Sequence, residues 1–320
     1  MRKIGVVVWC SLVACGGTNP EVPPSSPATT AGPPATPPSG PPTTPPSGPP
    51  TTPPGGSASC PGLGSEQRSC TSAGNPGLKV CAAGTVICAT TVVSLTFDDA
   101  LAQQVLAAAT LEKHGMRGTF FLNTWRLRMR NTENMTPAQA TDLQDRGHEI
   151  GGHTLDHPHL TTLTPDQQHV QICNDRANLI GLGFDVQNFA YPFGDWNASV
   201  RQAVADCRYN SARSVSGLNT KVAAETFTPK DALVLRAPRS VLTTDTLDYL
   251  EGLVTRAEGT GGWLLFTFHH ICEACSDNAI RPADLETFLG WLEQRSAQGT
   301  GTARVRDVIG GTTQPVVTWP

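Results

Sequence analysis

Val92-Val93-Ser94-Leu95-Thr96-Phe97-Asp98-Asp99 is the stretch that decides the fold. A short apolar run rich in β-branched residues ends in two adjacent carboxylates, so a buried-type strand delivers two acids at its C-terminal end. The same texture recurs downstream. Strand-like runs at 118–123, 148–153, 188–193, 209–215, 233–239 and 263–270 alternate with helical patterns around 100–114, 136–146, 165–182, 196–207, 243–258 and 282–298. Two of these helices carry explicit starts, Thr136-Pro137-Ala138-Gln139 and Thr164-Pro165-Asp166-Gln167. Each has Thr at the N-cap, Pro at the first helical position and Gln at the third. Seven strands with intervening helices predict an α/β fold with a parallel sheet, open or closed into a barrel. In a barrel the chemistry gathers at the C-terminal strand ends, which is where this chain puts its unusual residues.

Asp98 and Asp99 repel each other unless a cation or a proton separates their roles; a helix N-cap would need only one of them. A second cluster, His153-Thr154-Leu155-Asp156-His157-Pro158-His159, follows the strand at 148–153. Two His four apart share one face of a helical turn and can present two imidazoles to one ion, while Pro158 limits that geometry to a single turn. Adding Asp99 gives a set of two imidazoles and one carboxylate, with contacts of about 2.0–2.2 Å expected for zinc. Ala190-Tyr191-Pro192-Phe193-Gly194 ends a strand in a turn that can aim a backbone N–H as an oxyanion hole requires. The strand Trp263-Leu264-Leu265-Phe266-Thr267-Phe268 delivers His269 and His270 at its end, where a packed histidine is the alternative reading.

Together and in this order, these residues resemble the polysaccharide deacetylases of carbohydrate esterase family 4, the nodulation-deacetylase homology group, over roughly residues 92–310. The resemblance implies a distorted (β/α) barrel of about seven units. It also implies a metal-dependent hydrolase that removes acetyl groups from an N-acetylated polysaccharide: a chitin-like oligomer, peptidoglycan or another N-acetylglucosamine glycan, with O-acetylxylan as the alternative. The roles it implies are Asp98 as base, His269 as acid, and Asp99, His153 and His157 as ligands of a divalent metal, zinc for this donor set. The Phe193 amide would serve the oxyanion, with Tyr191 beside it at the substrate. Ala100 replaces the usual Gly, and the family's fourth motif is not evident around 211–218. Ala190 stands where many members carry an Arg that orients the base, which leaves a catalytically impaired carbohydrate-binding protein as another alternative. An Arg from a different strand is expected to replace it. Arg239, ending Arg236-Ala237-Pro238-Arg239, lies closest to the C-terminal end of the predicted strand at 233–239 and is the expected orienting residue. His159 occupies the variable place in its turn and is expected to be dispensable.

Upstream of the barrel, Arg2 and Lys3 precede a short apolar run, the pattern of an export signal over 1–14. Leu12-Val13-Ala14-Cys15 resembles the bacterial lipobox, implying lipidation of Cys15; a signal peptide cut nearby is the alternative. Sixteen of the 27 prolines lie between Pro20 and Pro54, and Pro-Pro-Ser-Gly-Pro-Pro-Thr-Thr occurs at 37–44 and again at 45–52. Such a segment cannot build a core, so 15–57 reads as a disordered linker of polyproline character. A small Cys-rich segment (58–90), the deacetylase-like domain (91–310) and a tail (311–320) follow. Eight cysteines remain besides Cys10 and Cys15, an even count that reads as disulfides in an exported chain. Cys272 and Cys275 read as a structural disulfide, with zinc binding or a redox pair as alternatives. A formal charge of −4, from 23 basic and 27 acidic residues, gives no footprint for nucleic acid. The one basic cluster is Arg126-Leu127-Arg128-Met129-Arg130. No apolar run reaches the ~18–20 residues that span a bilayer, so the only membrane contact expected is the lipid anchor. The expected setting is the bacterial cell envelope, at the outer membrane or cell surface, or otherwise secretion; the expected state is a monomer.

Overall fold

A computed structural model of the 320-residue chain describes residues 69–72, 75–82 and 85–320. The expected signal, Cys15 and the Pro-rich linker lie outside the described residues. Three antiparallel strands come first: β1 (Ser69–Ser72), β2 (Asn75–Ala82) and β3 (Thr85–Ala89). Then follow β4 (Thr91–Asp98), α1 (Gln104–Lys113), β5 (Thr119–Leu122), α2 (Thr124–Arg128), α3 (Pro137–Asp145) and β6 (Glu149–Gly152). The chain continues through α4 (Pro165–Gly181), β7 (Asn188–Ala190), α5 (Ala198–Asp206), β8 (Ser211–Gly217), β9 (Leu235–Ala237), α6 (Leu247–Thr260) and β10 (Gly262–Phe268). A short pair, β11 (His270–Ile271) and β12 (Ala279–Ile280), precedes α7 (Pro282–Gln294), β13 (Thr300–Thr302) and α8 (Val305–Ile309).

The main sheet is parallel, in the order β10-β4-β5-β6-β7-β8-β9. β10 runs along the whole of one edge of β4, whereas β4 also pairs with β13 at Thr91–Val93 and with β5 at Thr96–Asp98. No ladder joins β9 to β10 among the described residues, so the result is the expected distorted barrel, nearly closed around seven strands.

Strand alternation decides which side chains meet inside. Val92, Phe121, Ala190, Leu235, Ala237, Trp263 and Leu265 form one buried cluster, the barrel interior. Val93, Leu95, Phe97, Phe120, Phe189, Ala212, Leu264, Phe266 and Phe268 belong to a second, between strands and helices. The same parity sends Asp98 inward with Val92, and His269 inward after Trp263 and Leu265. It also places Arg213 opposite in sense to its neighbour Ala212. Thus the pattern that builds the core aims three polar groups at the C-terminal mouth.

Strands β1 to β3 lie at the other end. Leu78 and Val80 of β2 join the interior cluster together with Ala303 and Val305. The backbone of β13 approaches so closely that a Cβ on Gly301 would lie 2.2 Å from a Val80 methyl. Disulfides join Cys70 to Cys88, Cys173 to Cys207, and Cys272 to Cys275. Cys173 and Cys207 are fully buried and tie α4 to the end of α5. A loop of 34 residues closed this way contributes about 3–4 kcal/mol on the chain-entropy account. The Cys173→Ala/Cys207→Ala variant should lose about that much in denaturant unfolding.

Both predicted capping boxes form, at Thr136 with Gln139 and at Thr164 with Gln167. The first helix starts four residues later than the sequence pattern suggests. Asp99 and Ala100 have φ of 84° and 53°, which takes the chain out of helical geometry before α1 begins at Gln104.

One buried histidine gives the fold an acid sensitivity. His148 Nδ1 accepts from the Gly118 N–H at 3.0 Å, and Nε2 faces Glu112 at 2.8 Å. Burial pushes its pKa down to about 4, despite Glu112, and a second ring proton would meet the Gly118 N–H. Between about pH 6.5 and 4 the unfolded chain binds more protons at this group than the folded one. Stability from His148 is therefore present above pH 6.5 and lost as pH falls, by up to about 3 kcal/mol. His148→Gln should flatten the pH dependence of the urea midpoint in that window.

Candidate active site

Asp99, His153 and His157 converge. Each offers a ligand atom, and these atoms lie within 4.8 Å of one another. Asp99 Oδ1 is 3.3 Å from His157 Nε2 and 3.7 Å from His153 Nε2. His153 Nδ1 lies 2.8 Å from the Ala190 carbonyl; since a carbonyl only accepts, Nδ1 carries the proton and Nε2 keeps its lone pair. That orientation, a backbone acceptor behind and a bare nitrogen in front, is how proteins set an imidazole toward a metal. His153 Nε2 and Asp99 Oδ1 are both buried with no hydrogen-bond partner. Two orphaned acceptors aimed at one point cost free energy unless a cation fills the place, so the residues present fit a divalent ion.

The histidine loop reaches this arrangement without the helical turn that the spacing suggests. Thr154 and His157 take φ of 72° and 65°, and the turn is held by the Thr154 hydroxyl accepting from the His157 N–H at 3.0 Å. Of the eight non-glycine residues with positive φ among those described, Asp99, Ala100, Thr154, His157 and Phe193 lie here. Backbone strain of this kind concentrates where side chains must be aimed. Burial pushes the His157 pKa down to about 4 and also lowers that of His153, so both rings are neutral and able to ligate near neutral pH.

Asp98 lies beside this set, 3 % exposed. Arg213 Nη2 donates to both of its oxygens at 2.6 Å. Burial alone would raise the Asp98 pKa; the electrostatics around it, the Arg213 charge foremost, outweigh it and leave the carboxyl below its usual range. Arg213 is itself fully buried and lies over the Phe121 ring at 5.3 Å.

This corrects the expected role of Arg239. Strand β9 ends at Ala237, so the alternation that would turn Arg239 inward stops before reaching it. Arg239 instead pairs with Asp245 at 2.6 Å and packs over Tyr249, with its side chain 45 % exposed. Arg239→Ala should leave turnover within about twofold of wild type. The replacement for the missing Arg comes from β8, where Arg213 is the register partner of Ala190. A guanidinium absent from one strand is supplied at the same height by its neighbour.

Tyr191 is also placed differently from expectation. Its ring is 1 % exposed in the core, and its hydroxyl donates to the Leu233 carbonyl at 2.7 Å, out of reach of a substrate. Phe193 has φ of 59° and an exposed ring edge-on to His157 at 4.5 Å. His159 stacks on Phe193 at 3.9 Å and stays outside the ligand cluster. His269 follows β10 at the mouth, its Nδ1 buried without a partner.

Two supporting residues escaped the sequence reading. Gln104 donates to the carbonyls of Asp98 and His269 at 2.5 and 3.0 Å, clamping the ends of β4 and β10 together. Asp175 accepts from the Thr124 N–H and hydroxyl and from the His153 N–H. Burial pushes it up to about 8 against those donors. Both lie in helices, where a polar residue facing the core has no motif to announce it.

Residues 88–212 match the family profile described as polysaccharide deacetylase. The chain is similar to a chitooligosaccharide deacetylase of Azorhizobium caulinodans, with 29 % identity over 117 residues covering 35 % of this chain and 52 % of that one. It is also similar to the peptidoglycan-N-acetylglucosamine deacetylase PgdA of Listeria monocytogenes, 26 % identical over 115 residues, 35 % of this chain and 23 % of the other. The chain thus spans about half or less of these relatives' lengths. Among solved structures, a family 4 carbohydrate esterase from Streptomyces lividans in complex with acetate aligns with a TM-score of 0.48 and 19 % identity, over 71 % of this chain and 99 % of that one.

Proposed function

The chain belongs to the polysaccharide deacetylase family, and from that premise we propose that it hydrolyses acetyl groups from an N-acetylated glycan, a chitin-like oligomer, peptidoglycan or another N-acetylglucosamine polymer. The observation that carries this reading is the convergence of the Asp99, His153 and His157 ligand atoms beside an Asp98 carboxylate that Arg213 holds ionised. A binding protein without activity would need the cluster for neither purpose, and the gap at Ala190 that motivated that alternative is filled by Arg213.

Asp99, His153 and His157 would hold the cation, and two imidazoles with one carboxylate suit zinc. When bound, it supplies Lewis acidity next to the Asp98 carboxylate. Asp98, kept ionised, takes the proton from the attacking water. The Phe193 backbone N–H donates to the oxyanion that develops on the acetyl carbonyl. His269 gives a proton to the departing amine, and acetate leaves. The lipidated, envelope-bound form set out from Cys15 remains part of this proposal: Cys15→Ser should move the protein from the membrane to the soluble fraction with its hydrolytic rate intact.

The substrate class is tested by acetate release from N-acetylglucosamine oligomers, peptidoglycan strands and acetylated xylan. Release from the first two at a rate well above that from xylan is expected. Release from xylan alone would reassign the enzyme as an O-acetyl esterase.

A further inference from the structure

The short basic run that gave no nucleic-acid footprint lies at the rim of the site. α2 follows β5 at the C-terminal mouth, and the Trp125 N–H donates to the carbonyl of Leu155 inside the histidine loop at 3.0 Å. Leu127 is buried and fixes the helix to the core, while Trp125, Arg128 and Arg130 are exposed. Arg126 turns to the site. Its Nη2 lies 3.8 Å from Asp99 Oδ1, too far for a hydrogen bond, and its side chain is 29 % exposed. Its charge is felt by His157 and His270. Among the described residues Arg126 has no other carboxylate within ion-pair distance, and Arg128 and Arg130 have none. Most arginines elsewhere on this surface are paired: Arg201 with Asp231, Arg236 with Glu225, Arg281 with Asp284 and Arg295 with Glu258.

An arginine beside a cation site is disfavoured by like charge unless something negative completes it. Among the described residues Asp99 is the only acid within ion-pair distance, and it is also a ligand of the cation in the proposed function, on which this inference rests. We propose that Arg126 recognises a carboxylate carried by the glycan itself, so that the preferred substrate is an acidic acetylated polysaccharide. Arg128 and Arg130 extend the positive edge along the chain of sugars. Trp125 offers an exposed ring, 54 % accessible, next to them for a sugar face. The planar guanidinium matches a carboxylate bidentately. The carboxylate can belong to a uronic acid or to a lactyl ether on an amino sugar; the chemistry that Arg126 reads is the same.

The test compares kcat/KM for acetate release on two matched pairs. One is an oligosaccharide alternating N-acetylglucosamine with glucuronate, the other alternates it with N-acetylmuramate, and each is set against its carboxyl-reduced counterpart. A charge-assisted hydrogen bond at a half-exposed site predicts a preference of about tenfold for the carboxylated member of at least one pair. The pair that shows it identifies the source. Arg126→Met should bring that ratio close to one, and Arg126→Lys should restore part of it. A wild-type ratio near one, a ratio that survives in Arg126→Met, or an equal loss on both members of each pair would overturn the carboxylate assignment while leaving deacetylation intact. Should no substrate release acetate, the proposed activity fails, and calorimetric binding of the same pairs still reads the ratio for Arg126.

Discussion

Arg213→Met is expected to lower kcat by about 100-fold or more while the protein keeps its full complement of cation. Arg213 is the sole cation bonded to the Asp98 carboxylate among the described residues, and it touches neither His153 nor His157 through a hydrogen bond. Its loss removes both the orientation of the base and much of the field that keeps the base ionised, and positioned proton transfer is worth about 10²–10⁴ in rate. The sign of the pH effect follows from Asp98. Burial raises its pKa, and Arg213 is the largest of the influences that lower it. Without Arg213 the carboxyl shifts up, so the acidic limb of the kcat/KM profile moves to higher pH. Arg213→Lys keeps the charge and should return the limb most of the way, with turnover between the two. An unpaired buried charge also costs about 3–5 kcal/mol of stability, so thermal unfolding of both variants separates lost folding from lost catalysis. Unaltered turnover in Arg213→Met would remove the orienting role.

His153→Ala should abolish cation retention and reduce turnover by about 10³-fold or more. Several kcal/mol of transition-state stabilisation depend on the ion in such sites, and a factor of ten corresponds to about 1.4 kcal/mol. His153 is fully buried, hydrogen-bonded to Ala190 and aimed at Asp99, so no neighbouring group can take its place. His157→Ala should behave the same way. His159→Ala, whose ring stacks on Phe193 outside the cluster, should keep the cation. Elemental analysis of the purified variants, read beside acetate release, distinguishes them. A His153→Ala protein that holds the ion as well as wild type would place the site elsewhere.

Much of this arrangement is legible in the chain because strands of period two carry the core and the site together. Val92 to Asp98 reads as a strand, and that alone puts Asp98 at its C-terminal end, where the site lies. The same holds for Trp263 to Phe268 and the following His269. Arg239 shows where that reasoning breaks: alternation applies only while the strand lasts, and β9 stops at Ala237. The residue that bonds the Asp98 carboxylate was written in the sequence at Ser211-Ala212-Arg213-Ser214, with Ala212 outward and Arg213 inward. Recognising it needs the register of β8 against β7, which places Arg213 beside Ala190 and which no local pattern states. The histidine spacing correctly brings His153 and His157 together, although through a strained loop. The Cys-rich segment is legible as a small appendage, but its three strands β1 to β3 are not, for a different reason. Its strands are poor in large apolar residues, and their burial comes from Leu78 and Val80 meeting a barrel interior far along the chain.

The most direct measurement is acetate release from N-acetylglucosamine oligomers by the purified protein before chelation, after chelation, and after zinc is returned. Release that disappears with the chelator and recovers with about one zinc per chain is the result predicted for a cation held by Asp99, His153 and His157. Release that continues unchanged in the chelated protein would contradict it.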